Sequence, residues 1–158
     1  MAEVIHYSSP LGMLTVAAEE NLITVLVIDG QKYMERHLKG ETIEREAPIL
    51  KQAEQWLDRY FSGEKPDPAE LSLSPKGSEF QKRVWKELLK IPYGMTDTYG
   101  GIAERLGSSA RAVGSAVGRN PISILIPCHR VLGRDGNLTG YAGGVENKKK
   151  LLELEGAI

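Results

Sequence analysis

The sequence Ile122-Ser123-Ile124-Leu125-Ile126-Pro127-Cys128-His129-Arg130-Val131 runs from an apolar segment straight into a thiol flanked by a proline, an imidazole and a guanidinium. The apolar run has the length and β-branched content of a buried strand, and Pro127 marks a break in regular pairing. The expectation is a buried strand that delivers Cys128 at its end. Cys128 is the only cysteine, so it forms no intramolecular disulfide. It is either a small core hydrophobe, as free cysteines often are, or a nucleophile. A charged pair directly after an apolar strand favours the nucleophile.

A thiol reacts as its thiolate, and a free cysteine with a pKa of about 8.5 is only slightly ionised at neutral pH. Activation needs a cation, an adjacent base or a helix N-terminus. His129 is next in sequence, but neighbours in a strand point to opposite faces. Contact therefore requires a turn at the motif or a bridging water. An imidazole base works best when a carboxylate holds its other nitrogen. Glu146, Glu153 and Glu155 are the candidates, and spacing does not choose among them. His6 and His37 lack the partners and spacing of a zinc site, so no metal is expected.

Before the motif the chain divides in two. Residues 4–7, 13–18 and 22–28 read as short strands, separated by turn-like residues 8–12 and 19–21. Pro48 opens a helix whose apolar face is Ile49, Leu50, Ala53, Trp56, Leu57, Tyr60 and Phe61, with Gly63 as its stop. Residues 64–70, with Pro66 and Pro68, read as a linker. Ser78 and Gln81 form a capping box for a helix with Phe80, Val84, Leu88 and Ile91 on one face. Thr98 caps a short helix over 99–106, Gly107-Ser108-Ser109 makes a turn, and a second short helix covers 110–118. A glycine-rich loop spans 133–144, and a last helix runs from about 147 to 155. The domains expected are 1–75 and 76–158.

Helix, glycine-containing turn, helix is the helix-turn-helix arrangement. The second helix, Ala110-Arg111-Ala112-Val113-Gly114-Ser115-Ala116-Val117-Gly118, turns Val113 and Val117 to the core. Its remaining surface is small residues and one arginine. Readers of the major groove usually offer Arg, Asn, Gln or Lys to base edges. Small residues such as Ala110, Ala112, Gly114 and Ser115 instead suit close approach to a narrow groove, with Arg111 entering the base stack. The same surface suits tight packing against another helix, and composition does not separate the two.

With 41% hydrophobic and 26% charged residues the composition is that of a soluble globular chain. No run of 18 apolar residues is present, so no membrane association is expected. The start lacks the pattern of a signal peptide, and one cysteine fits a reducing, cytoplasmic location. Residues 1–77 carry 8 Lys+Arg against 13 Asp+Glu, whereas residues 78–158 carry 12 against 8. A basic second half suits a polyanionic partner.

Pro127-Cys128-His129-Arg130-Val131 resembles the active-site signature of the methylated-DNA–protein-cysteine methyltransferases, which repair O6-alkylguanine directly. Further blocks resemble the same family: Ile91-Pro92-Tyr93-Gly94, Thr98-Tyr99-Gly100, Arg111-Ala112-Val113-Gly114, Asn120-Pro121-Ile122, Gly140-Tyr141-Ala142-Gly143-Gly144 and Leu151-Leu152-Glu153-Leu154-Glu155-Gly156. The likeness covers residues 78–158 closely and the front region in general form.

The resemblance implies an α+β fold. A small ribonuclease-H-like β-sheet with helices precedes a mostly helical domain carrying the helix-turn-helix. It implies a monomer acting on double-stranded DNA that contains O6-alkylguanine, with no metal or nucleotide cofactor, and leaves O4-alkylthymine open. Cys128 is implied as the alkyl acceptor, used once. His129 would deprotonate it through a water, with Glu155 orienting His129. Asn120 would brace the turn, Arg111 would stabilise the flipped nucleotide, and Tyr99 would rotate it and protonate guanine N3. Tyr141 and the Ala142 backbone N–H would line the pocket, beside Val131 and Lys148. The turn 107–109 is shorter than in many relatives. The competing reading is a non-catalytic alkyltransferase-like damage binder. Such relatives replace the cysteine that this chain keeps.

Overall fold

The computed structural model describes all residues, 1–158. They form two compact units: Met1–Lys76 with Pro121–Leu125, and Gly77–Asn120 with Ile126–Ile158.

The first unit is built on a four-stranded sheet of order β3-β2-β1-β4, with β1 Ala2–Ser9, β2 Gly12–Glu19, β3 Leu22–Ile28 and β4 Thr42–Glu44. β1, β2 and β3 form antiparallel hairpins, and β4 joins β1 in parallel. Glu20 and Asn21 both take positive φ, 52° and 61°, as a two-residue type I′ hairpin turn requires. β2 and β3 are buried on both faces, which explains their nearly continuous apolar sequence. Val4, Ala17, Val25 and Val27 cluster with Met34 and Leu38 beside the short helix α1, Met34–His37. The helix α2, Pro48–Phe61, packs against β1, β2 and β3 and buries Ile49, Leu50, Ala53, Trp56, Leu57 and Tyr60. Gly63 ends that segment at φ 95°. The linker region contains a capped 3-10 turn, Pro68–Glu70.

The expected strand over 122–126 does not form. Ile122 makes only an isolated bridge to Leu26, where Leu26 N donates to Pro121 O at 2.9 Å and Ser123 N to Leu26 O at 2.8 Å. The chain then turns sharply: Leu125 N donates to Ser123 O at 2.8 Å around Ile124, which sits at φ 71°. That conformation is strained for a β-branched residue. The segment is apolar because it is buried, with its polar backbone satisfied by turns and by the free edge of β3.

In the second unit, α3 Glu79–Leu88 starts at the expected capping box, in which Ser78 and Gln81 satisfy each other's backbone. Thr98 caps α4, Tyr99–Leu106, and Ser109 caps α5, Ala110–Gly118. Gly107 between them takes the left-handed conformation, φ 64°, and completes the helix-turn-helix. α5 turns Val113, Ala116 and Val117 inward. Trp85 Nε1 on α3 donates to Ala116 O at 2.9 Å, fixing α5 against a buried indole. A short parallel pair, β5 Asp97–Thr98 with β6 Val131–Leu132, sets the entry to α4 beside the exit from the cysteine motif. The last helix, α6, spans Val145–Leu154, starting slightly earlier than expected.

Candidate active site

Pro127 has φ −80° and ψ 65°, the geometry of an inverse γ-turn, and Cys128 N donates to Ile126 O at 2.7 Å across it. A 3-10 turn, Cys128–Arg130, follows. The motif is thus a pair of tight turns, and the strand alternation that would have separated Cys128 from His129 does not apply. Asn120, 2% exposed, donates from Nδ2 to the same Ile126 carbonyl at 2.9 Å.

Cys128 is 4% exposed. Burial pushes its thiol above the ordinary value, opposed by Asn120, the Lys148 ammonium and the Tyr141 hydroxyl, all of which favour the thiolate. Burial wins, so the resting sulfur is a thiol that needs a base.

His129 is fully buried and its Nε2 lies 2.7 Å from Glu155 Oε2. An ionised carboxylate only accepts, so Nε2 carries the hydrogen. Burial lowers the basicity of His129 and Arg130 and Lys148 oppose its charge, against the pull of Glu155. The ring is therefore neutral, with its lone pair on Nδ1. That atom is buried and has no hydrogen-bond partner. Glu155 caps α6. Burial alone would raise its pKa, but the bonds from His129 and Arg130 hold the carboxyl at about 2.

Lys148 of α6 is wholly buried and donates from Nζ to Thr139 O at 2.8 Å, with Gly140 O at 3.4 Å and Tyr99 Oη at 3.5 Å. Burial brings its pKa down to about 8. Tyr99 opens α4, and a Cβ on Gly114 of α5 would stand 3.8 Å from its ring. Burial raises the Tyr99 phenol, offset by a bond with Thr139.

Cys128, Asn120, His129, Glu155, Tyr99, Tyr141 and Lys148 thus converge on one region. Val131 is buried in β6 directly after the cysteine turn, and Ala142 is half-buried in the loop after Tyr141. Ala110, Arg111 and Ser115 form the exposed face of α5, with Ala112 and Gly114 half-buried beside it; Arg111 makes no ion pair. Arg130 was not among the expected site residues. It donates to Glu155 at 2.8 and 3.0 Å and to Ile91 O at 2.7 Å. The only signal for it was its position next to His129. Nowhere do three or more His, Cys, Asp or Glu side chains gather as a metal site would require.

Residues 79–157 match the family described as 6-O-methylguanine DNA methyltransferase, DNA binding domain, and residues 5–75 match its ribonuclease-like domain. The chain is similar to a methylated-DNA–protein-cysteine methyltransferase of Methanosarcina acetivorans, with 45% identity over 154 residues and 96% of each chain covered. It is also similar to a crystal structure of Mycobacterium tuberculosis O6-methylguanine methyltransferase, at TM-score 0.85 and 42% identity, covering 99% of this chain and 94% of the other. A Mycobacterium tuberculosis OGT structure in complex with DNA matches at TM-score 0.84 and 42% identity, covering 99% and 92%.

Proposed function

The chain belongs to the 6-O-methylguanine DNA methyltransferase family, and from that premise we propose that Cys128 is the single-use acceptor of an alkyl group taken from O6-alkylguanine in duplex DNA. It is a methylated-DNA–protein-cysteine methyltransferase that repairs DNA by direct reversal. The observation that carries the residue assignment is a buried thiol followed in the chain by a neutral imidazole whose Nδ1 lone pair is unengaged and whose Nε2–H is held by Glu155.

The reaction follows from these groups. The modified base leaves the stack, because a buried thiol cannot reach it there. Arg111, on the exposed face of α5, takes the vacated space, and the small residues Ala110, Ala112, Gly114 and Ser115 admit the helix to the groove. His129 Nδ1 accepts the thiol proton through a water, and Glu155 stabilises the imidazolium formed. The thiolate displaces the alkyl carbon: an S–C bond forms, the C–O6 bond breaks, and its electron pair returns to guanine. Tyr99 supplies a proton at N3, making guanine the better leaving group, with the Lys148 ammonium adjacent to support the phenolate. Tyr141, the Ala142 N–H and Val131 line the pocket. Nothing in the chain cleaves a thioether, so each molecule acts once. We take the protein to act as a monomer in the cytoplasm.

Titrating protein against a duplex containing O6-methylguanine tests this. Repaired guanine should saturate at one per protein molecule. Binding without repair would instead favour a non-catalytic damage binder.

A further inference from the structure

Arg130 is 7% exposed, and all three of its guanidinium nitrogens donate hydrogen bonds. Nε donates to Glu155 Oε1 at 2.8 Å, Nη2 to Glu155 Oε2 at 3.0 Å and Nη1 to Ile91 O at 2.7 Å. The cation also lies 5.7 Å from the centre of the Tyr93 ring. Both carboxylate oxygens of Glu155 are therefore held by the planar fork, and Oε2 is shared between Arg130 and His129 Nε2.

We infer that Arg130 is a positioning residue that locks the Glu155 carboxylate and thereby keeps His129 neutral and able to act as a base. This rests on His129 being the base for Cys128. The charge count gives the reason. Glu155 and Arg130 form a neutral pair, so a proton on His129 has no uncompensated anion to meet. The other charged group acting on the imidazole is the Lys148 ammonium, which opposes a second positive charge and also acts on the Cys128 thiol. Tyr93 lies beyond the guanidinium. Without Arg130 the Glu155 charge beside His129 loses its guanidinium counter-charge and holds a proton there. A doubly protonated imidazole has no lone pair to receive the thiol proton.

The test is a pH–rate profile for alkyl transfer from free O6-benzylguanine, which reads the chemistry without DNA docking. Intact-protein mass is used to count adducts. In Arg130→Gln the acid limb should move up by about one pH unit, the scale on which a close charge shifts a neighbour. At pH values below both limbs transfer should fall about tenfold, and it should recover as pH rises past the shifted limb. In Arg130→Lys the charge stays but the fork is lost, so the limb should stay near that of the wild type while the plateau drops.

A rate lowered equally at every pH in Arg130→Gln overturns the inference and leaves Arg130 a structural brace. Should that variant not fold, Arg130→Met, which removes the charge and keeps an unbranched stem, decides by the same readout: an acid limb moved up supports the inference and an unmoved limb overturns it. A reactive wild type with an unmoved limb in the variant sinks this inference alone. If the wild type takes no benzyl group, the same profile is measured with the O6-methylguanine duplex, and a wild type inert to that duplex sinks the parent reading as well.

Discussion

Asn120 Nδ2 donates to the carbonyl of Ile126 at 2.9 Å, the same oxygen that receives the Cys128 N–H at 2.7 Å. One acceptor thereby fixes both arms of the turn that presents the sulfur, and Asn120 also favours the thiolate. Replacing Asn120 with Ala removes a buried donor from that carbonyl and leaves a small void. The expected cost is about 1–3 kcal/mol in denaturant unfolding, with slower transfer to Cys128. Wild-type stability and rate in Asn120→Ala would show that the turn holds itself.

Glu155→Gln keeps the size of the side chain but replaces an anion with an amide. One acceptor oxygen then serves where two did, so His129 competes with Arg130 for it, and Arg130 is left buried without its counter-charge. Transfer from O6-benzylguanine should fall about 100-fold or more, the scale of general-base assistance. A change of less than about twofold would remove Glu155 from the relay.

Acid should weaken the fold through the same cluster. The folded protein holds His129 below its ordinary value, chiefly by burial, and Glu155 at about 2, where the bonds from His129 and Arg130 outweigh burial. The unfolded chain binds protons at both sites more readily, so stability falls as pH drops. The loss should begin as pH falls through about 6.5, where a free histidine protonates, and deepen below the ordinary carboxylate range. Urea unfolding at a series of pH values measures it, and Glu155→Gln should flatten the lower part of the curve. Stability unchanged between neutral and acidic pH would contradict this account.

Arg111 is exposed on α5 and has no ion pair. Arg111→Ala should slow repair of O6-methylguanine in duplex DNA while leaving transfer from the free base near normal. Because the contact is with a polyanion, binding should also weaken steeply as salt rises. Equal losses on duplex and free base would count against its role at the groove.

Much of this was legible in the chain. Turn residues at 19–21, Pro48, the Ser78–Gln81 pair and Thr98 marked element ends because each satisfies a specific backbone need, and those ends are observed. The segment before Cys128 reads as a strand but folds as turns, because burial and strand formation leave the same apolar signature. Only the backbone at Ile124 and Pro127 tells them apart. Choosing Glu155 over Glu146 and Glu153 by spacing was impossible, since the choice depends on how the end of α6 meets the cysteine turn. Arg130 is hidden for the same reason: its partners, Glu155 and Ile91, are remote in sequence.

The most direct test is the intact mass of the protein after incubation with an oligonucleotide duplex carrying O6-methylguanine, followed by peptide mapping. The account predicts a gain of one methyl group per molecule, located on Cys128, and none in Cys128→Ala. An unchanged mass under conditions where the duplex is bound, or a methyl group on any other residue, would contradict it.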